Sequence, residues 1–261
     1  MKKLKIGIIG VGRLGYEHAC NIANRVPGSE LVAIADANFD RAKQVAEELG
    51  VTAVYNDPKA LCADPNVEAV AIITNTASHV EMIKIAMDAG KHVFCEKPLA
   101  DTVEKCKEAE AIIAAHPELT FMLGFMRRYD HSYQVAKKKM ENGDIGDVIL
   151  VRCYSQDPIS IIEGTLEYAP RSGGQFIDMS IHDFDLIRWL TGSEVKELWA
   201  TGGCYEFKQY KDWDDGDNVS GLMKMENDAM AFFFAGRAAA HGSHVETEIV
   251  GTRSTLRIAS V

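Results

Sequence analysis

The chain has 261 residues, 47% of them hydrophobic and 25% charged, enough to bury a full core in one large domain or two modest ones. Its formal charge of -10 weighs against nucleic acid or an anionic membrane surface as partner, and sets no penalty on a neutral polyol or sugar. No stretch approaches the ~18 uninterrupted apolar residues that a membrane span needs.

Met1-Lys2-Lys3-Leu4-Lys5-Ile6 has the charged front of an export signal, but glycines and Arg13 cut short the apolar run behind it, so a soluble, cytoplasmic protein is expected. The run Lys5–Ile9 reads as a first strand, and Gly10-Val11-Gly12-Arg13-Leu14-Gly15 follows it directly at the start of a helix. That G-x-G-x-x-G run is a dinucleotide fingerprint in its proper context. The first glycine allows the turn, the second lets backbone approach a pyrophosphate, and the third permits close helix packing, while the helix N-terminus faces the negative charge. Gly10, Gly12, Arg13, Leu14 and Gly15 are therefore cofactor-binding candidates.

Leu31–Ala35 is the second strand, and Asp36 ends it, 21 residues beyond Gly15, where a carboxylate accepts hydrogen bonds from the adenosine ribose and repels a 2′-phosphate. Ala37 and Asn38 bring no positive charge, which favours NAD over NADP, with Arg41 the residue able to upset that preference. The alternative for Asp36 is a helix N-cap. Arg41–Leu49, His79–Ala89 and Val103–Ala115 read as helices between further strands at Ala69–Thr74, His92–Cys95 and Phe121–Gly124, with Asp101 or Thr102 capping the last helix. Strands alternating with helices make a parallel sheet covered on both faces. Thr74, Asn75 and His79 follow one strand and Glu96 and Lys97 another, at the carboxyl edge where such sheets bind ligands, so all join the cofactor set or, for Lys97, the substrate. A lysine there can hydrogen-bond a reacting oxygen; the bland alternative is a surface lysine beside a turn.

The texture changes after Gly124, giving two domains, 1–124 and 125–261. A helix around Ser132–Asn142 precedes a strand at Asp147–Tyr154, then an irregular stretch runs to Gly174. A helix over Phe176–Leu190 comes next, followed by strands at Glu197–Gly202, Val219–Met225, Ala229–Ala235, Val245–Gly251 and Thr255–Ile258, an α+β arrangement. Asp178 and His182 stand four apart and so share a face of that helix. His182 titrates near neutrality and can take the proton released when an alcohol becomes a ketone; Asp178 can orient the imidazole or the substrate. Standing alone, this pair reads as a helix carboxylate and a satisfied histidine. Ala229–Ala235 is apolar on both pleat faces, and its second face is covered either by loops of this chain or by another subunit. The six cysteines, Cys20, Cys62, Cys95, Cys106, Cys153 and Cys204, show no metal-ligand spacing, and neither disulfide nor metal is expected.

The fingerprint, Glu96-Lys97-Pro98, and Gly173-Gly174 with Asp178 and His182 together resemble the glucose–fructose oxidoreductase, inositol dehydrogenase and rhizopine catabolism (Gfo/Idh/MocA) family, over all 261 residues. The resemblance implies an α/β protein with an N-terminal Rossmann domain and a C-terminal α+β domain on a large, open, mostly antiparallel sheet, assembling as a dimer or tetramer. It also implies catalysis by Lys97, Asp178 and His182. Gly124-Phe-Met-Arg127-Arg128-Tyr129-Asp130 is similar to the segment that inositol 2-dehydrogenases carry after the Rossmann domain, which implies that Arg127 donates to substrate hydroxyls. The alternative is that Arg127 or Arg128 pairs with a carboxylate. Asp157 falls where the family places a polar substrate-binding residue. Members continue past the strand matched by Thr255–Ile258, so the resemblance implies a second domain cut short at Val261. The expected reaction is NAD-dependent oxidation of a ring hydroxyl of a cyclic polyol. Two alternatives stand beside it: the same chemistry on another sugar or polyol, and a non-catalytic module that senses NAD or a sugar.

Overall fold

A computed structural model describes residues 2–260, which divide after Gly124 into two compact units. The first runs β1 (Leu4–Ile9), α1 (Arg13–Asn24), β2 (Ser29–Ala35), α2 (Phe39–Leu49), β3 (Ala53–Tyr55), α3 (Pro58–Ala63), β4 (Ala69–Ile72), α4 (His79–Asp88), β5 (His92–Cys95), α5 (Val103–Ala114) and β6 (Phe121–Leu123). Its strands pair in parallel, in the order β3-β2-β1-β4-β5-β6. Such an order reverses direction between β1 and β4, where open α/β sheets leave a crevice outside the strands' carboxyl ends.

Alternation along each strand feeds two separate cores. Ile8, Ile34 and Ala71 turn toward α1 and α2 and pack with Ala19, Ala42 and Val45. Ile9, Ala35, Val70 and Ile72 turn the other way and pack with Leu61, Ile83, Met87 and Ala109. Each side chain of this size contributes roughly 1.5–3 kcal/mol by leaving water, so both cores hold the sheet. β3 and α3 lie outside the expected elements, although Asp57 caps α3 through the Lys59 N–H and Pro58 opens it. Thr102 caps α5 by accepting from the Lys105 N–H.

The second unit runs α6 (His131–Glu141), β7 (Val148–Pro158), α7 (Ile162–Tyr168), α8 (Gln175–Asp178), α9 (Ile181–Thr191), β8 (Val195–Gly203), β9 (Asn218–Met225), β10 (Met230–Ala239), β11 (His244–Gly251) and β12 (Thr255–Ser260). The strand order is β12-β11-β7-β10-β9-β8, antiparallel except where β7 meets β10. One face packs against α6 and α9 through Val151, Phe233, Ala235, Leu186, Ile187 and Ile249, with Phe184 edge-on to Phe233 at 5.0 Å.

Two expectations are corrected here. The stretch before Gly174, read as irregular, contains a short 3-10 turn at Ile159–Ile161, α7, and another turn at Ala169–Arg171. The single helix over Phe176–Leu190 is two helices, α8 and α9, broken at Met179 and Ser180, where the Ser180 N–H reaches back to the Gln175 carbonyl at 3.0 Å. Asp178 therefore closes one helix and His182 opens the next, and the shared face of one continuous helix is lost.

Candidate active site

In the first unit the strand register aligns Ile9 with Ala35 and Ile72, and Ile72 with Cys95. The residues just past these positions, Gly10, Asp36, Thr74, Glu96 and Lys97, therefore line one carboxyl edge. Gly10 has φ +90°, and a Cβ there would lie 2.4 Å from the Ile73 carbonyl oxygen. A Cβ on Gly15 would lie 2.1 Å from the Gly10 carbonyl oxygen. Only glycines let α1 sit this close to the loop. Gly12 is the N-cap of α1 and no side chain caps it, so the first-turn N–H groups of Arg13, Leu14 and Gly15 face outward as anion donors.

Asp36 braces the loop: Oδ2 accepts from the Val11 N–H at 2.7 Å and Oδ1 from the Asn38 N–H at 2.8 Å. Asn38, not Asp36, caps α2, which removes the capping alternative. Arg41 Nε donates to the Val11 carbonyl at 3.1 Å and its guanidinium lies 5.1 Å above the Tyr16 ring, so Val11 is gripped at both polar ends. An uncapped helix start, a glycine cradle and a carboxylate at the end of β2 fit the pyrophosphate and ribose of a dinucleotide.

Thr74 and Asn75 follow β4 at the edge, and Ser78 Oγ donates to Thr74 Oγ1 at 2.8 Å. His79 lies behind this loop. It is 1% exposed, with Nδ1 2.8 Å from the Pro98 carbonyl and Nε2 3.3 Å from the Thr74 carbonyl. Through these two bonds His79 ties the loop after β4 to the loop after β5 from inside. Glu96 also works within the protein: Oε1 lies 2.8 Å from His18 Nε2, and Oε2 accepts from the Lys97 N–H at 3.0 Å. The carboxylate thus links α1 to the segment that carries Lys97, whose side chain is half-buried.

In the second unit Asp178 is buried. Its Oδ1 accepts from the Tyr168 hydroxyl at 3.1 Å and its Oδ2 from Arg237 Nη2 at 2.8 Å. Burial first, and the neighbouring Asp178 charge second, push the Tyr168 phenol up to about 12, so Tyr168 remains a donor. Asp157, near the end of β7, lies 3.9 Å from Arg237 Nη1. One guanidinium thus gathers both acidic residues expected to bind substrate. His182 is half-buried and meets Phe125 edge-on, with ring centroids 6.3 Å apart.

Arg127 takes the pairing alternative. Nη1 donates to Asp183 at 2.7 Å and Nη2 to Ser155 Oγ at 2.8 Å, while Ser155 Oγ donates to the same Asp183 oxygen at 2.8 Å. Burial pushes the Asp183 carboxyl above its ordinary value in spite of Arg127. Arg128 holds Asp185 through two bonds, of 2.8 and 2.7 Å. Since Asp183 and Asp185 stand in the first turns of α9, the two arginines fix the helix start that carries His182. Tyr168 and Arg237 join this site only in the folded chain. Arg237 had a signal, because it continues the inward alternation Ala231, Phe233, Ala235, and a charge in that phase needs a buried partner.

The family described as an oxidoreductase family with an NAD-binding Rossmann fold (GFO/IDH/MocA) matches residues 4–125, and its C-terminal domain matches residues 133–257. A scyllo-inositol 2-dehydrogenase (NAD(+)) of Bacillus subtilis is 34% identical over 261 residues, spanning 99% of this chain and 75% of that protein. A myo-inositol 2-dehydrogenase of Thermotoga maritima is 35% identical over 260 residues, spanning 97% of this chain and 74% of that one. Among solved structures, a scyllo-inositol dehydrogenase from Lactobacillus casei with bound NAD(H) and scyllo-inositol superposes with a TM-score of 0.94 at 42% identity, covering 100% of this chain and 77% of that one.

Proposed function

The chain belongs to the Gfo/Idh/MocA oxidoreductase family, and from that membership we propose that it oxidises a ring hydroxyl of an inositol-like cyclic polyol to a ketone, with NAD as the oxidant. The observation that carries the reading is the meeting of the dinucleotide loop, Asp36 and Lys97 on one carboxyl edge of one sheet. Removing hydrogen from a secondary alcohol takes a hydride from carbon and a proton from oxygen. When bound, NAD supplies the hydride acceptor.

The protein's own groups do the rest. First-turn N–H groups of α1 hold the pyrophosphate, and Asp36 accepts from the ribose hydroxyls while repelling a 2′-phosphate. The Lys97 ammonium hydrogen-bonds the reacting oxygen and stabilises negative charge as it develops there. His182 takes the hydroxyl proton. Asp178, paired with Arg237, accepts a hydrogen bond from a neighbouring hydroxyl or from the imidazole. Asp157 contributes a second acceptor for ring hydroxyls.

The open face of the second sheet supports self-association as a dimer or tetramer. Leu150, Trp199, Leu222, Met230 and Phe232 line an apolar groove there, larger in extent than isolated surface hydrophobes. Free thiols at all six cysteines suit a reducing, cytoplasmic setting, and among the described residues no helix is long and apolar enough to cross a membrane.

The test is turnover of a panel of inositols and aldoses with NAD, followed by NADH absorbance, beside calorimetric binding of NAD. Lys97→Ala should lower kcat by about a thousandfold and leave NAD affinity nearly unchanged. Loss of turnover and NAD binding in equal measure would contradict this division of labour, and NAD binding without turnover of any polyol would overturn the enzymatic reading.

A further inference from the structure

Arg237 is 3% exposed, yet it stands in β10 among alanines and a phenylalanine on the face that packs against helices. A guanidinium held there must be paired, because an uncompensated charge in a low-dielectric interior is strongly destabilising. The pairing of β10 with β7 is regular from Met230↔Leu150 to Gly236↔Gln156 and resumes at Ala239↔Pro158. Arg237 and Asp157 sit together at that irregularity, while on the other side the Arg237 N–H continues the register of β9, donating to the Asp217 carbonyl at 2.9 Å. The guanidinium therefore leaves the strand from a fixed base. Nη2 donates to Asp178 at 2.8 Å while Nη1 lies 3.9 Å from Asp157.

We infer that Arg237 is a positioning residue for the dehydrogenation, a single planar cation that sets the orientation of Asp178. This rests on the role given to Asp178 above. With Tyr168 on Oδ1 and Arg237 on Oδ2, the carboxylate plane of Asp178 is fixed from both of its oxygens. Asp178 ends α8 at a break in the helix, so helical backbone hydrogen bonding alone does not lock its side chain. The two donors supply that rigidity. An inositol ring is held through several hydroxyls, so a misaligned carboxylate near the reacting carbon weakens the transition state more than the bound ground state. A lysine restores the charge but lacks the planar fork.

The experiment is a double-mutant cycle on the full chain, reading kcat and KM for scyllo- and myo-inositol and the Kd for NAD. Arg237→Gln should lower kcat by about thirtyfold, with KM for inositol and Kd for NAD changed less than about threefold. Arg237→Lys should recover part of the loss. In an Asp178→Asn background, Arg237→Gln should cost at most about threefold more, since its effect passes through a carboxylate already altered. Losses that multiply in the double variant, or an Arg237→Gln enzyme with undiminished kcat, overturn the inference. Should Arg237→Gln fail to fold, Arg237→Lys is read in the same cycle: a loss that vanishes beside Asp178→Asn supports the inference and one that persists overturns it. Asp178→Asn with undiminished turnover would remove the reading of the site itself, whereas an inactive Asp178→Asn beside a fully active Arg237→Gln removes this inference alone.

Discussion

The two sheets of this protein treat an uninterrupted apolar strand in opposite ways. In the first, Ala69–Ile72 is buried at all four positions, with Val70 and Ile72 packed in the core on one face and Ala71 in the core on the other. In the second, Met230–Ala235 is equally apolar, yet only Ala231, Phe233 and Ala235 are buried, while Phe232 and Phe234 are half-buried and Met230 is exposed. A strand apolar at every position calls for cover on both faces, and under the self-association proposed above a second copy supplies the cover that this unit leaves open.

The largest effects expected from this contrast fall on the covered faces. Ile72→Ala in the first sheet and Phe233→Ala in the second each remove a fully buried side chain and should lower unfolding stability by about 3–4 kcal/mol, measured by urea denaturation. Phe233 also loses its edge-on contacts with Phe184 and Phe176. A cost below about 1 kcal/mol at Phe233 would mean that the helices do not seal this face, and the contrast would fail.

What the sequence made legible follows the same division. In the first unit the strand-helix alternation is short-range, and glycines, Asp36 and the strand ends carry their positions on their face, so the dinucleotide edge could be read in advance. His79 and Glu96 were placed at that edge but turned to internal bonds, a side-chain choice that periodicity does not encode. In the second unit the stretch after Tyr154 through Gly174 reads as irregular because Pro158, Pro170, Gly164, Gly173 and Gly174 mask α7, a helix of seven residues. Ser180 interrupts the longer helix through an Asp178-to-His182 junction that a pattern of i and i+4 cannot detect. Arg237 escaped because the strand was ended at Ala235, two residues before the charge that its inward phase should have made conspicuous. For Arg127 the sequence leaves substrate contact and carboxylate pairing both open, because its partners Asp183 and Ser155 are 56 and 28 residues away and visible only once folded.

The open face gives the next effect, smaller in stability and larger in assembly. Trp199 and Leu222 sit directly opposite each other across β8 and β9, 64% and 55% exposed. Changing both to Glu should move monomer stability by less than about 0.5 kcal/mol, yet place charges in the centre of the apolar groove. Light scattering after size-exclusion chromatography should then report the monomer mass where the unaltered chain reports a dimer or larger. An assembly that survives both charges must use another surface.

The smallest effect expected lies at the other end of the same face, where the sheet is charged instead of apolar. Glu246 is 3% exposed, and Arg257, 62% exposed at its side chain, donates to it at 2.6 Å, with His244 and Arg152 each 3.4 Å away. The Arg257 hydrogen bond, the largest influence, holds the Glu246 carboxyl below its ordinary range. A folded-state value below the unfolded one means that the ionised group stabilises the fold above the unfolded value, about 4.3, and that this contribution disappears as pH falls through the folded value. Glu246→Gln should therefore melt below the unaltered chain at neutral pH, and the gap should close as the pH is lowered past about 4. The arginines stay charged over this range, so the closing gap reports the carboxylate. The comparison is made on the Trp199→Glu, Leu222→Glu background, where assembly does not contribute to melting. Because Arg257 is largely in water, solvent screens the pair and the gap should be small; a gap that stays constant down to pH about 3 would mean that Glu246 serves β11 and β12 by packing and not by charge.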